Sequence, residues 1–158
     1  MKARYEPASD FLKAVIADEV SLDGSALADA NFKKLIAMTR DADRSNRDWA
    51  VLLLSQREDD TTAVRDALLS AASDEDDIVR GEAILGLARR DRMLALPLLQ
   101  SALAGPSANI NLFEAAAIVA HPSLIDDLRA FADPSGDSLV DEMVLAALCA
   151  CNSASATE

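Results

Sequence analysis

The sequence predicts an all-α protein, a solenoid of stacked helical pairs with about nine helices. Three observations carry that expectation. Hydrophobic residues make up 51% of the 158 but aromatics only 4%, so the core must be built from Leu, Ala, Val and Ile. Ala and Leu are strong helix formers, and five Gly and five Pro leave little room for hairpins or long loops. Finally, the chain repeats itself. Ala50, Ala83 and Ala116 recur every 33 residues, in step with Arg47 and Arg80 and with Asp43, Asp76 and Asn109. Repetition at this length marks supersecondary units too thin to bury a core alone.

Taken in order, Ser9 to Glu19 reads as a short leading helix with Phe11, Leu12, Val15 and Ile16 in one apolar stripe. Asp23-Gly24-Ser25 breaks it. The next helix, about Ser25 to Thr39, sets Ala28, Phe32, Leu35, Ile36 and Thr39 on one side. Asp41-Ala42-Asp43 ends that helix, and Ser45 with Asp48 resembles a capping box opening another. This third helix runs to about Gln56 with Ala50 and Leu54 inward. After the Glu58–Thr61 turn, Val64, Ala67, Leu68 and Ala71 repeat at i, i+3, i+4 and i+7 within Ala63 to Ala72.

Helices follow near Asp77–Arg89 and Arg92–Leu103; Pro97 lies inside the second and should bend it or occupy its early turns. Ala104-Gly105-Pro106-Ser107 is the strongest loop signal. A helix from Asn109 or Asn111 to Ala120, with Asn111 and Glu114 offering a cap, leads to His121-Pro122. Leu124, Leu128 and Phe131 share a face of the helix beyond it. Asp133 to Asp137 interrupts the chain before a last helix, Ser138 to Cys149, and the polar tail is expected to fray.

The helices fall into two classes. First helices of each pair match at a spacing of 30 (Val64, Leu94, Leu124; Leu68, Leu98, Leu128), and second helices match at 33. The link between pairs therefore shortens along the chain. One domain, 1–158, divides into a leading helix (9–24), four pairs (25–60, 61–90, 91–121, 122–151) and a tail (152–158).

The Ile78-Val79-Arg80…Ala83…Leu87 run and the Leu96-Pro97-Leu98-Leu99 run together resemble HEAT repeats, particularly the bacterial HEAT-like (PBS-lyase-type) repeats. The resemblance covers about Ser25 to Cys151 and implies a right-handed α-solenoid. In that family a Pro-containing first helix lies on the convex side. The second helix, opening with Asp and a Val-Arg pair, lines the concave side. Asp76, Val79 and Arg80 fit, as do Asp43 and Arg47, and the family's Asp–Arg ladder between pairs is expected on them. Arg80 should then be partly buried and paired with Asp76 or Asp43. The third pair departs, with Asn109 for the Asp and Phe113 for the Arg, and the fourth carries Asp137 and Asp141 in those slots.

Charge narrows the function. The net charge is −12, with 14 basic and 19 acidic residues up to Arg92 but only Arg129 against eight acids thereafter. Such a surface repels phosphate backbones, so nucleic acid is not an expected partner. No signal-peptide core follows Lys2 and Arg4, and the longest apolar run, Met143 to Cys151, is far short of a membrane span. Cys149 and Cys151 cannot staple the fold at that spacing and read as reduced thiols of a cytoplasmic protein. One histidine, His121, cannot build a zinc site and stands where a turn needs a cap. Asp74 to Asp77 lacks the spacing of a calcium loop and complements a helix start; Arg89, Arg90 and Arg92 suit a helix end. No cofactor or metal is expected.

The repeat register singles out two rows, Asp48, Gly81, Glu114 and Glu142, and then Trp49, Glu82, Ala115 and Met143. Under the resemblance both rows face the concave groove. Asp48, Trp49, Glu82, Glu114, Glu142 and Met143 are therefore the candidate contacts, an acidic groove with an aromatic anchor. The expected function is a non-enzymatic scaffold or adaptor that binds a basic peptide or protein surface. The alternatives are an inhibitor of a basic enzyme surface and a HEAT-like lyase, for which no residue constellation is present.

Overall fold

The computed structural model describes residues 5–156, so Lys2, Arg4 and the last two residues of the polar tail lie outside it. Among the described residues nine α-helices and one 3₁₀ turn follow one another without a strand. They are α1 (Asp10–Ile16), α2 (Ala26–Met38), α3 (Arg44–Gln56), α4 (Thr62–Ala71), α5 (Asp77–Arg90), α6 (Arg92–Leu103), α7 (Ile110–Val119), α8 (Ile125–Arg129) and α9 (Ser138–Ser155). The 3₁₀ turn, Pro122–Leu124, leads directly into α8.

Short polar side chains start these helices by accepting otherwise unpaired N–H groups of the first turn. Ser9, Ser25, Asp43, Thr61, Asp76, Asp91, Asn109 and Asp137 all do so. Two of the expected caps are displaced. Asp43, not Ser45 with Asp48, caps α3, and the Ser45 hydroxyl itself donates to Asp43. Asn109, not Asn111, caps α7. Helix α1 stops at Ile16 because Asp18 turns the chain at φ 57. At the other end α9 continues through Asn152 to Ser155 instead of fraying after Cys151, with the Ser153 and Ser155 hydroxyls bonding back to the Cys149 and Cys151 carbonyls. Pro97 sits inside a continuous α6, on its exposed side.

The first helices, α2, α4, α6 and α8, form one layer and the second helices, α3, α5, α7 and α9, the other. Neighbours within the second layer touch along their lengths, whereas neighbours in the first barely meet. That asymmetry curves the stack toward the second helices. Glycine permits the close approach. A Cβ on Gly86 of α5 would stand 2.8 Å from Ser55 Cβ of α3, and one on Gly81 would stand 2.5 Å from Asn109 Oδ1 at the start of α7. Between the layers runs one core, from Val51 and Leu54 through Leu68, Leu85, Leu87, Leu99 and Phe113 to Leu128 and Cys151. Each such large side chain contributes about 1.5–3 kcal/mol on burial. Leu12, Leu35 and Ala50 form a smaller cluster at the N-terminal end.

The ladder takes a different form from the expected one. Arg47 donates to the carbonyls of Asp41 (3.2 Å) and Ala42 (3.3 Å), and Arg80 donates to those of Asp74 (2.7 Å) and Glu75 (2.9 Å), the same grip one repeat on. Arg47 also reaches forward to the next pair and holds the Asp74 carboxylate through Nε (2.8 Å) and Nη2 (3.2 Å), both side chains nearly buried. Arg80 pairs with neither Asp76 nor Asp43, because those carboxylates are spent on caps. Asp76 is further claimed by a bidentate Arg44 (2.6 and 3.2 Å). One repeat beyond Asp74 stands Ser107, so Arg80 has no carboxylate to reach. Phe113, in the next arginine slot, is buried and meets Phe131 edge-on at 5.5 Å. Asp141, in the last one, turns back to accept from the Ser135 N–H at 2.8 Å, which holds its carboxyl below the usual range.

One arginine stitches the pairs in a way the repeat register does not reveal. Arg90, at the end of α5, uses all five guanidinium N–H groups on backbone carbonyls. Nε takes Asp59 (2.9 Å), Nη1 takes Ser55 (3.3 Å) and Gly86 (2.8 Å), and Nη2 takes Leu54 (2.9 Å) and Arg57 (2.6 Å). It therefore caps the C-terminus of α3 from the neighbouring repeat, satisfying carbonyls the helix cannot.

Candidate functional site

The second-helix layer presents the two rows unequally. On α3, the Asp48 carboxylate accepts from the Tyr5 hydroxyl at 2.7 Å, and the Tyr5 ring stacks on Trp49 with centroids 6.2 Å apart and planes inclined by 21°. Arg44 donates to the same hydroxyl at 3.0 Å, lies 5.7 Å from the ring centroid and passes on to Asp76. Burial and then the Asp48 hydrogen bond push the Tyr5 phenol up to about 12. Residues 5–8 thus form a strap over the start of α3, fixed where the Ala8 and Ser9 N–H groups bond to Ser45 Oγ (3.1 Å) and Asn46 Oδ1 (2.8 Å). Beneath the strap, between Tyr5, Glu6, Pro7, α1 and Trp49, is a cavity of about 310 Å³.

On α5, Gly81 and Glu82 are buried in the contact with the flanking helices. Glu82 is only 6% exposed, and burial raises its pKa above the ordinary glutamate value. Ser55 Oγ lies on Glu82 Oε1 and also 3.1 Å from the Leu52 carbonyl. A hydroxyl has one proton, so Ser55 serves both only when the carboxyl carries its own. On α7, Glu114 is half-exposed and accepts from Arg89 Nη2 at 2.9 Å, while Ala115 is fully buried. On α9, Glu142 is exposed with no ion pair among the described residues, and Met143 packs partly into the core.

The candidates are therefore brought onto one layer but with different roles. Asp48 and Trp49 sit under the strap, Glu82 lies beneath the surface, and Glu114 and Glu142 reach solvent. Sequence reasoning missed three neighbours. Arg89 follows Glu82 by seven residues, a spacing that shares a helix face and was readable. Arg44 follows the true cap, Asp43, and came into view only with that cap. Tyr5 lies in no periodic stretch and left no signal. His121 caps the 3₁₀ turn through Nδ1, which accepts from the Ser123 N–H at 3.2 Å. Both cysteines are free, Cys149 exposed and Cys151 buried. No described helix is long and apolar enough to cross a membrane.

Paired helices in two curved layers, with a carbonyl-gripping arginine one turn into successive second helices, match a known repeat type, and the family model described as HEAT repeats matches residues 32–118. The chain belongs to the HEAT-repeat family. Its fold is also that of an X-ray structure of YibA from Escherichia coli, a structural-genomics target, with a TM-score of 0.63 and 21% sequence identity. The alignment covers 90% of this chain and 54% of that one, so the HEAT-repeat chain spans about half the length of that relative. No curated protein matches the sequence. As a HEAT-repeat chain it is a helical repeat scaffold, an architecture that can mediate protein interactions.

Proposed function

We propose that this HEAT-repeat chain is a non-enzymatic protein-binding scaffold whose second-helix face takes a basic peptide or protein surface. One observation carries the reading. Glu114 and Glu142 occupy equivalent positions on successive second helices and reach solvent, and Arg89 alone among the described cations meets either of them. Asp48 continues the row at the α3 end, and Glu82 adds its charge, when ionised, from below. Arg129, the single cation after Arg92, is engaged by Asp126 on α8. Excess acid on a curved face favours lysine- and arginine-rich partners and speeds their approach.

The test is calorimetric binding of a lysine- and arginine-rich dodecapeptide at low and high salt. Reversal of Glu114 and Glu142 to Lys should weaken binding by about 10-fold, since exposed pairs each contribute up to about 1 kcal/mol and reversal adds repulsion. The control reverses Asp29 and Asp66 on the exposed sides of α2 and α4. If the control weakens binding as much as the groove reversal, net charge alone is responsible and the face has no role.

A further inference from the structure

The strap over α3 is an incomplete fit. Trp49 Nε1 is sealed from solvent yet has no hydrogen-bond partner among the described residues. Buried donors nearly always find an acceptor, and one left without is destabilising. Tyr5 covers the indole with a ring and supplies no acceptor for it. Pro7 is buried and the Ala8 and Ser9 N–H groups are tied to α3, but Tyr5 itself borders the 310 Å³ cavity and remains 49% exposed, so its side chain is the loosely held part of the strap. What Tyr5 does supply is a donor to Asp48 and an aromatic face to Arg44.

We propose that the Asp48–Trp49 end of the face is the anchor subsite for the basic partner, and that Tyr5 occupies it in the free chain. An incoming extended segment displaces the Tyr5 side chain, sets a lysine or arginine against Asp48 and over the Trp49 ring, and turns a backbone carbonyl to the indole N–H. Each contact improves on the one it replaces. A cation on Asp48 is a charge-assisted bond in place of a phenol, tryptophan is the strongest aromatic acceptor for a cation, and the orphaned donor gains a partner. This inference rests on the basic-partner reading above and deepens it by naming the anchor and its resident competitor.

The competition sets the expected effect. An occupant that must be expelled lowers apparent affinity by the fraction of time the site is open. Removing the stack and the hydroxyl bond, Tyr5→Ala should tighten binding of the same dodecapeptide by roughly 5- to 20-fold, and Tyr5→Phe, which keeps the ring but frees Asp48, by less. Trp49 is the only tryptophan, so its emission should also shift on peptide addition. A glutamine-substituted peptide is the neutral comparison and should bind far more weakly. Equal affinity of wild type and Tyr5→Ala, with the Glu114/Glu142 reversal still weakening binding, would overturn the strap and leave the face reading standing. Looser binding by Tyr5→Ala would also overturn it, because Tyr5 would then be a contact. Equal binding of the neutral peptide would overturn the cation anchor. Binding by none of the variants would remove both this inference and the reading beneath it.

Discussion

Arg90 is a residue whose loss should be strongly felt, although it holds no carboxylate and touches no candidate contact. Replacing it with Ala strips a charged donor from the Leu54, Ser55, Arg57 and Asp59 carbonyls and from Gly86 in its own helix. A hydrogen bond to a charged group nets about 1.5–3 kcal/mol, and water entering at the loop recovers part of each loss, so the total should be about 3 kcal/mol. For a chain of this size that lowers the melting midpoint by about 6–12 °C. Arg90→Lys keeps the charge but not the planar fork and should recover less than half. Arg92→Ala, next door and exposed, should stay within about 0.5 kcal/mol of wild type. The assay is thermal and urea unfolding followed by far-ultraviolet circular dichroism. An Arg90→Ala midpoint within about 2 °C of the Arg92→Ala midpoint would refute the clamp, since five real bonds cannot vanish without cost.

Arg47→Ala should destabilise by about 2–4 kcal/mol, because it strands the nearly buried Asp74, whereas Arg80→Ala strands no carboxylate and should cost about 1–2 kcal/mol; urea unfolding of both decides the order. Gly86→Ala should cost about 1–3 kcal/mol by forcing α3 from α5, and Gly81→Ala should cost less because the Asn109 side chain can yield; melting midpoints in the reverse order would contradict this. Glu82 has a raised pKa, so its native state holds the proton longer than the unfolded chain, and the stability it contributes is present below the ordinary glutamate value and lost as pH rises through the raised one. Glu82→Gln should therefore match or exceed wild type near neutral pH and lose that advantage in acid, as read by melts across the range. The single tyrosine should titrate near 12 in native protein, followed by ultraviolet absorbance, and nearer its ordinary value in Asp48→Asn; the stability tied to its neutral phenol is whole below 10.0 and declines as pH rises toward 12.

Most of the fold was legible because periodicity and caps report local physics. Val64, Ala67, Leu68 and Ala71 are all buried as their spacing requires, and Asp76 caps α5 where the acidic run meets the apolar pattern. The errors came where two local solutions compete. Asp43 and Ser45 can each cap α3, and Asp43 wins by accepting from two N–H groups at once. The same choice spends the carboxylate that the ladder expectation assigned to Arg80. The candidate face was less legible, because register fixes which residues share a row but not how deep the row lies. Glu82 and Ala115 sit where the neighbouring helix closes over them, while Glu114 and Glu142, one position earlier, stay in the open. Tyr5 was invisible for a different reason: its contacts with Asp48 and Trp49 span more than 40 residues and follow no period.

The uneven placement of arginine links the architecture to the surface it leaves free. In the first two pairs arginines are the fasteners. Arg44 and Arg47 hold Asp76 and Asp74 of the next pair, Arg57 ties Asp23 to Asp59, and Arg65 bridges Asp60 to Asp91 across the link into the third pair. The carboxylates so held are consumed by the fold and carry little free charge. Beyond Arg92 the fasteners change to packing, with Phe113 against Phe131 and Cys151 sealed near the Ala116 carbonyl. Packing needs no cations, so Glu142 of α9 is left without an ion pair among the described residues, while Glu114, the one acid of α7, is met by Arg89. A face stitched by charge at one end and by apolar contact at the other leaves Glu142 as a solvent-exposed carboxylate beside the half-exposed Glu114 at the second end. An extended basic partner anchored at Asp48 and Trp49 would therefore run toward Glu114 and Glu142, and reversing those two residues should weaken it more than any pair of acids on α3 to α5 other than the anchor itself.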